Sequence, residues 1–65
     1  MIITYNGEPL TTNARTVFDL VMDQFGTENG VAVALNRSIV PRSTWLDVPL
    51  NEGDRVDART AVQGG

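Results

Sequence analysis

Few side chains in this sequence can serve as a nucleophile or a general base near neutral pH. Histidine and cysteine are both absent, so no imidazole titrates in the physiological range and no thiolate is available. Ser38 and Ser43 therefore have no histidine to activate them. The usual zinc ligand sets are missing for the same reason, and no metal site is expected. Eight carboxylates remain, and a pair of them could do acid–base work. A chain of 65 residues, however, leaves little room to bury a pocket around such a pair. The chain is therefore not expected to be an enzyme in its own right. What stands out instead is the last stretch, "AVQGG". Glycine is the costliest residue to order, yet these two close no turn and cap no helix. One reading is a frayed end. The other is that the working group is the final carboxylate, on a tail whose lack of Cβ atoms suits a narrow site in another protein.

Something must hold that tail out. Sixty-five residues make one domain, here 1–65 with 62–65 expected as a flexible tail, and without cysteine it must rest on an apolar core. The hydrophobic content of 42% is ordinary for a soluble globular domain. "VAVAL" is the longest uninterrupted apolar run and is far too short to span a bilayer. No basic residue followed by an apolar stretch opens the chain, so no secretory signal is expected and the cytoplasm is the default location. The net charge of −3, with five arginines and no lysine, argues against nucleic acid as a partner. It suits a basic docking face on another protein, although simple solubility explains it equally well.

The pattern of elements follows from turn chemistry and period. "MIITY" alternates, with Met1, Ile3 and Tyr5 on one face. "NG" is the strongest short hairpin signal, and "EPLTT" returns as a strand that Pro9 confines to a sheet edge. "TVFDLVMDQFG" changes to a helical period, with Val17, Leu20 and Val21 forming a stripe that Phe18, Met22 and Phe25 widen. Thr16 and Asp19 have the spacing of a capping box, and Gly26 supplies a left-handed stop. "VAVALN" alternates large and small, "NRS" turns, and "IVP" reads as a short strand ended by Pro41. "RSTWLDVPL" has no clean period and is expected to be irregular or 3₁₀, with Trp45 plugging the core from the side. "NEGD" turns into the last strand, "RVDARTAV", with Val56 and Ala58 inward and Asp57 and Arg59 outward. One helix on one face of a mixed four- to five-stranded sheet is an α+β roll. The uncovered face, carrying Ile2, Ala32, Ala34, Asp57 and Arg59, is the candidate partner-docking surface.

This order of elements, ending in Gly-Gly, resembles the β-grasp fold of ubiquitin and its prokaryotic relatives. Within that fold it is most similar to the ThiS family, the sulfur carriers of thiamine biosynthesis. The most specific stretch is "VAVALNRSIVPRSTW", completed by "EGDRV" and the terminal "GG". The resemblance implies a carrier that binds no cofactor itself. An adenylating, ThiF-like enzyme would spend ATP to activate the carboxylate of Gly65, and sulfur supplied through a cysteine desulfurase would convert it to a thiocarboxylate. A ThiG-like thiazole synthase would then take the sulfur for the thiazole ring. Val62, Gln63 and Gly64 would be the leash threaded into those partners. Asp57 and Arg59 depart from the more apolar outer face of some family members, which puts purely apolar docking in question. Two other readings stay open: a carrier for molybdopterin synthesis or a ubiquitin-like modifier, and a β-grasp interaction module whose tail does nothing.

Overall fold

The computed structural model describes residues 1–60. The tail residues Val62, Gln63, Gly64 and Gly65, and the expected last two positions of the final strand, lie outside the described residues.

Two hairpins frame the sheet. Strand β1 (Ile2–Tyr5) pairs antiparallel with β2 (Glu8–Thr11) across the Asn6–Gly7 turn. Both turn residues have positive φ, 50° and 84°, as a type I′ turn requires. At the other side β3 (Val31–Leu35) pairs with the short β4 (Ser38–Ile39) across Asn36–Arg37, again with both φ values positive. The expected strand at 39–41 thus sits one residue earlier. Its apolar residues suggested Ile39 onward, but pairing begins as soon as the tight turn closes, at Ser38 opposite Leu35. Val40 still donates to the carbonyl of Val33 at 2.9 Å.

The last strand, β5 (Arg55–Thr60), enters between the hairpins and gives the order β2-β1-β5-β3-β4. It is antiparallel to β3 over five residue pairs, from Val31–Thr60 to Leu35–Val56, and parallel to β1. β2 and β4 are the edges, and Pro9 lies on the first of them, where its missing N–H costs nothing.

Helix α1 (Val17–Phe25) covers one face of the sheet with Val17, Leu20 and Val21 buried. Thr16 caps it by accepting from the Asp19 N–H at 3.2 Å. The reciprocal half of the capping box reaches one residue further back, because the Asp19 carboxylate accepts from the Arg15 N–H instead of that of Thr16. Gly26, at φ 73°, closes the helix with its N–H on the Met22 carbonyl. A 3₁₀ segment, η1 (Arg42–Asp47), carries Trp45 into the core at 1% exposure. The indole belongs to the same buried cluster as Ile3, Leu20, Val33 and Val56, and its N–H donates to the Val40 carbonyl at 2.9 Å. Every buried side-chain polar atom among the described residues has a hydrogen-bond partner. No helix among them is long and apolar enough to cross a membrane.

Candidate functional site

The face of the sheet opposite the helix is set by the two-residue period of its strands. On β5, Arg55, Asp57 and Arg59 point outward while Val56 and Ala58 are buried. The β3–β5 register lays Ala32 beside Arg59 and Ala34 beside Asp57. Ala34 is also opposite Ile39 on the edge strand. These residues line an open groove of about 190 Å³, bounded by Ala32, Val33, Ala34, Ile39, Asp57 and Arg59. Two alanines make its floor low, Ile39 forms one apolar wall at 77% exposure, and the two charged side chains form the other.

Four of the five residues expected on the docking face therefore gather around one groove. Ile2 does not join them. It lies on the same face at 52% exposure, but the parallel β1–β5 register puts it level with Gly53, whose N–H donates to the Ile2 carbonyl at 2.9 Å. Arg59 is six residues further along β5, roughly 20 Å away at strand rise. Ile39, expected only as a strand residue, lines the groove beside those four.

The charges on this face are unequal. Asp57 is paired within its own strand, with its carboxylate accepting from the Arg55 guanidinium at 3.1 Å. Arg59 has no ion-pair partner among the described residues. A half-exposed pair like Arg55–Asp57 adds little stability, but it engages the Asp57 carboxylate with Arg55. The groove then presents one unmatched cation beside an apolar slot, one residue before the end of β5.

A larger hollow of about 530 Å³ lies at the opposite end of β1, around Met1, Thr12, Ala14, Arg15 and Leu50. It is open and polar, and no carboxylate side chain is among its lining residues. Among the described residues no cluster of three or more acidic side chains could hold a metal. Burial raises the Tyr5 phenol above its ordinary value, on the helix-covered side of the sheet and away from the groove.

A single helix cradled by a mixed sheet whose last strand is central, with a groove beside that strand's outgoing end, defines a ubiquitin-like β-grasp protein. The ThiS family model matches residues 3–65, and the chain belongs to that family, the sulfur carriers of thiamine biosynthesis. It is similar to the sulfur carrier protein ThiS of Thermus thermophilus, with 35% identity over 65 residues covering 98% of this chain and all of that one. A thiazole synthase of Paramagnetospirillum magneticum is 30% identical over 66 residues, covering all of this chain. The chain spans only a fifth of that protein's length. The crystal structure of a thiamine biosynthesis protein, ThiS, from Geobacter metallireducens superposes with a TM-score of 0.81 at 28% identity, covering 100% of this chain and 99% of the other.

Proposed function

We propose that this carrier works as a substrate of other enzymes, not as a catalyst, and that its reacting atom is the carboxyl carbon of Gly65. An adenylating, ThiF-like enzyme supplies ATP. A Gly65 carboxylate oxygen attacks the α-phosphorus, pyrophosphate leaves, and an acyl-adenylate forms. The terminal sulfur of a persulfide, delivered by a cysteine desulfurase route, attacks the acyl carbon and expels AMP. A thiol then cleaves the resulting S–S bond, becoming a disulfide as the thiocarboxylate is released. A ThiG-like thiazole synthase accepts that sulfur, and all of this takes place in the cytoplasm. The observation that carries this reading is the family match, which runs through Gly65.

The groove beside Arg59 is the docking surface for the adenylating enzyme. The occupant it suits is an apolar side chain seated over Ala32 and Ala34 against Ile39, with a carboxylate next to it for Arg59. The absence of lysine and cysteine agrees with a chain that must carry an activated acyl group without attacking it itself.

Deleting Gly65 tests the reading. The shortened tail holds its carboxylate one residue, about 3.5 Å, short of the reacting phosphate. ATP–pyrophosphate exchange and the mass gain of oxygen-to-sulfur replacement should both vanish, while the thermal midpoint stays unchanged. Full exchange by the deletion variant would overturn the assignment of Gly65.

A further inference from the structure

β5 is held on each edge by an asparagine in the left-handed region. Asn36, at φ 49°, stands on the β3 side, where its side-chain oxygen accepts from the Arg55 N–H at 2.9 Å and its own N–H donates to the Arg55 carbonyl at 2.7 Å. That clamp fixes where β5 begins. Asn6, at φ 50°, stands on the β1 side and clamps the strand further along.

The Asn6 contact has a particular form. In a parallel ladder, successive bonds alternate between the two strands. Thr4 N–H donates to the Asp54 carbonyl and Asn6 N–H to the Val56 carbonyl, both at 2.9 Å. The next bonds would join Ala58 to the backbone of residues 6 and 8. β1 cannot supply them, because at Asn6 the chain turns into its hairpin and Glu8 is already on β2. The Asn6 side chain supplies them instead. Its Oδ1 accepts from the Ala58 N–H at 2.8 Å, and its Nδ2 donates to the Ala58 carbonyl at 3.0 Å. One amide thus extends the ladder by a full residue pair after the backbone has left. Beyond Ala58 that edge of β5 pairs with nothing in β1 among the described residues.

We propose that Asn6 is a positioning residue for carboxylate activation: its amide fixes the course of β5 at Ala58 and so sets the direction in which the chain leaves the sheet toward Gly65. This rests on the proposed activation at Gly65. Docking and aiming are then separate tasks. The groove sets how tightly the carrier sits on its enzyme, and Asn6 sets how often the carboxylate meets the phosphate once it is seated. Without the amide, Ala58, Arg59 and Thr60 are held only by β3, and the productive pose becomes one of several. Misplacement of a reacting group by about an ångström is enough to cost ten- to a hundredfold.

Two substitutions and one control test this. Asn6→Gly keeps the positive φ that the turn needs and removes both amide bonds. Asn6→Asp retains an acceptor for the Ala58 N–H but loses the donor, and Asp also tolerates the left-handed region. In pyrophosphate exchange, Asn6→Gly is expected to lower kcat about tenfold or more with KM unchanged, and Asn6→Asp to fall between it and the parent. Hydrogen exchange at the Ala58 amide should quicken in Asn6→Gly and much less in Asn6→Asp. Thr16→Ala, which weakens the helix cap far from β5, supplies a comparable loss of stability and should leave kcat alone. An unchanged kcat, a change confined to KM, or unaltered exchange at Ala58 in Asn6→Gly would overturn the proposal. Failure of the parent protein itself to support exchange would instead strike the Gly65 reading, and this proposal with it.

Discussion

At the scale of single residues, Trp45 is the largest side chain that is fully buried. It comes from a segment with no regular period, and its indole N–H on the Val40 carbonyl fastens the 3₁₀ turn to the end of the β3–β4 hairpin. Trp45→Ala should cost about 3–5 kcal/mol. A domain of this length has a total stability of roughly 3–10 kcal/mol, so the variant should lose about a third of its stability or more. Trp45→Phe refills most of the space but leaves the Val40 carbonyl without its donor, a loss of about 1–3 kcal/mol. Chemical denaturation of the three proteins checks the order. A midpoint for Trp45→Ala equal to that of the parent would remove Trp45 from the core. The burial of this residue was legible in the sequence because a single tryptophan in so small a chain has few other places to go. Its hydrogen bond was not, since Val40 reaches it only through the hairpin's return.

At the scale of elements, the two hairpins solve the same geometric problem with different residues. Asn6–Gly7 places glycine at the second turn position, where φ is 84°, whereas Asn36–Arg37 places arginine there at φ 74°. A side chain held in that region costs about 1–2 kcal/mol, while glycine loses more entropy on folding, about 0.5–1 kcal/mol. Arg37→Gly should therefore raise stability by up to about 1 kcal/mol, and Gly7→Ala should lower it by a similar amount. The Gly7→Ala penalty is conformational, because a Cβ at Gly7 would meet no atom within 4 Å. Equal and opposite shifts in thermal midpoint are the expected result, and a stabilised Gly7→Ala would refute the strain argument. Local signals of this kind explain why both hairpins, the helix and its stop were readable from the chain. Long-range pairing was not. Nothing near "RVDART" says that it slots between two hairpins or runs parallel to β1. The separation of Ile2 from Arg59, the exposure of Ile39 on an edge strand and the Asn6 clamp all depend on that one insertion.

At the scale of the whole molecule, the proposed function divides recognition from reaction. The helix and 3₁₀ segment cover one face, leaving the other free for contact, and β5 runs through the middle of that free face toward the tail. Docking energy concentrated in the groove should then be removable without touching the core. Ile39 is 77% exposed, so Ile39→Asp loses little packing and should leave the thermal midpoint within experimental error. It puts a charge against the apolar slot, however, and truncating or charging such an anchor costs a partner about 1–2 kcal/mol or more. A rise in KM for pyrophosphate exchange of about tenfold, with kcat unchanged, is expected. Arg59→Glu acts through charge instead, so its KM should rise most at low salt and converge toward the parent as salt screens the contact. Ile2→Asp lies on the same face roughly 20 Å from Arg59 along the strands and should behave like the parent. If Ile2→Asp raises KM while Ile39→Asp does not, the enzyme grips the end of the sheet where β5 begins. The tail would then have to cross the whole face to be activated, a path that the central placement of β5 makes needlessly long.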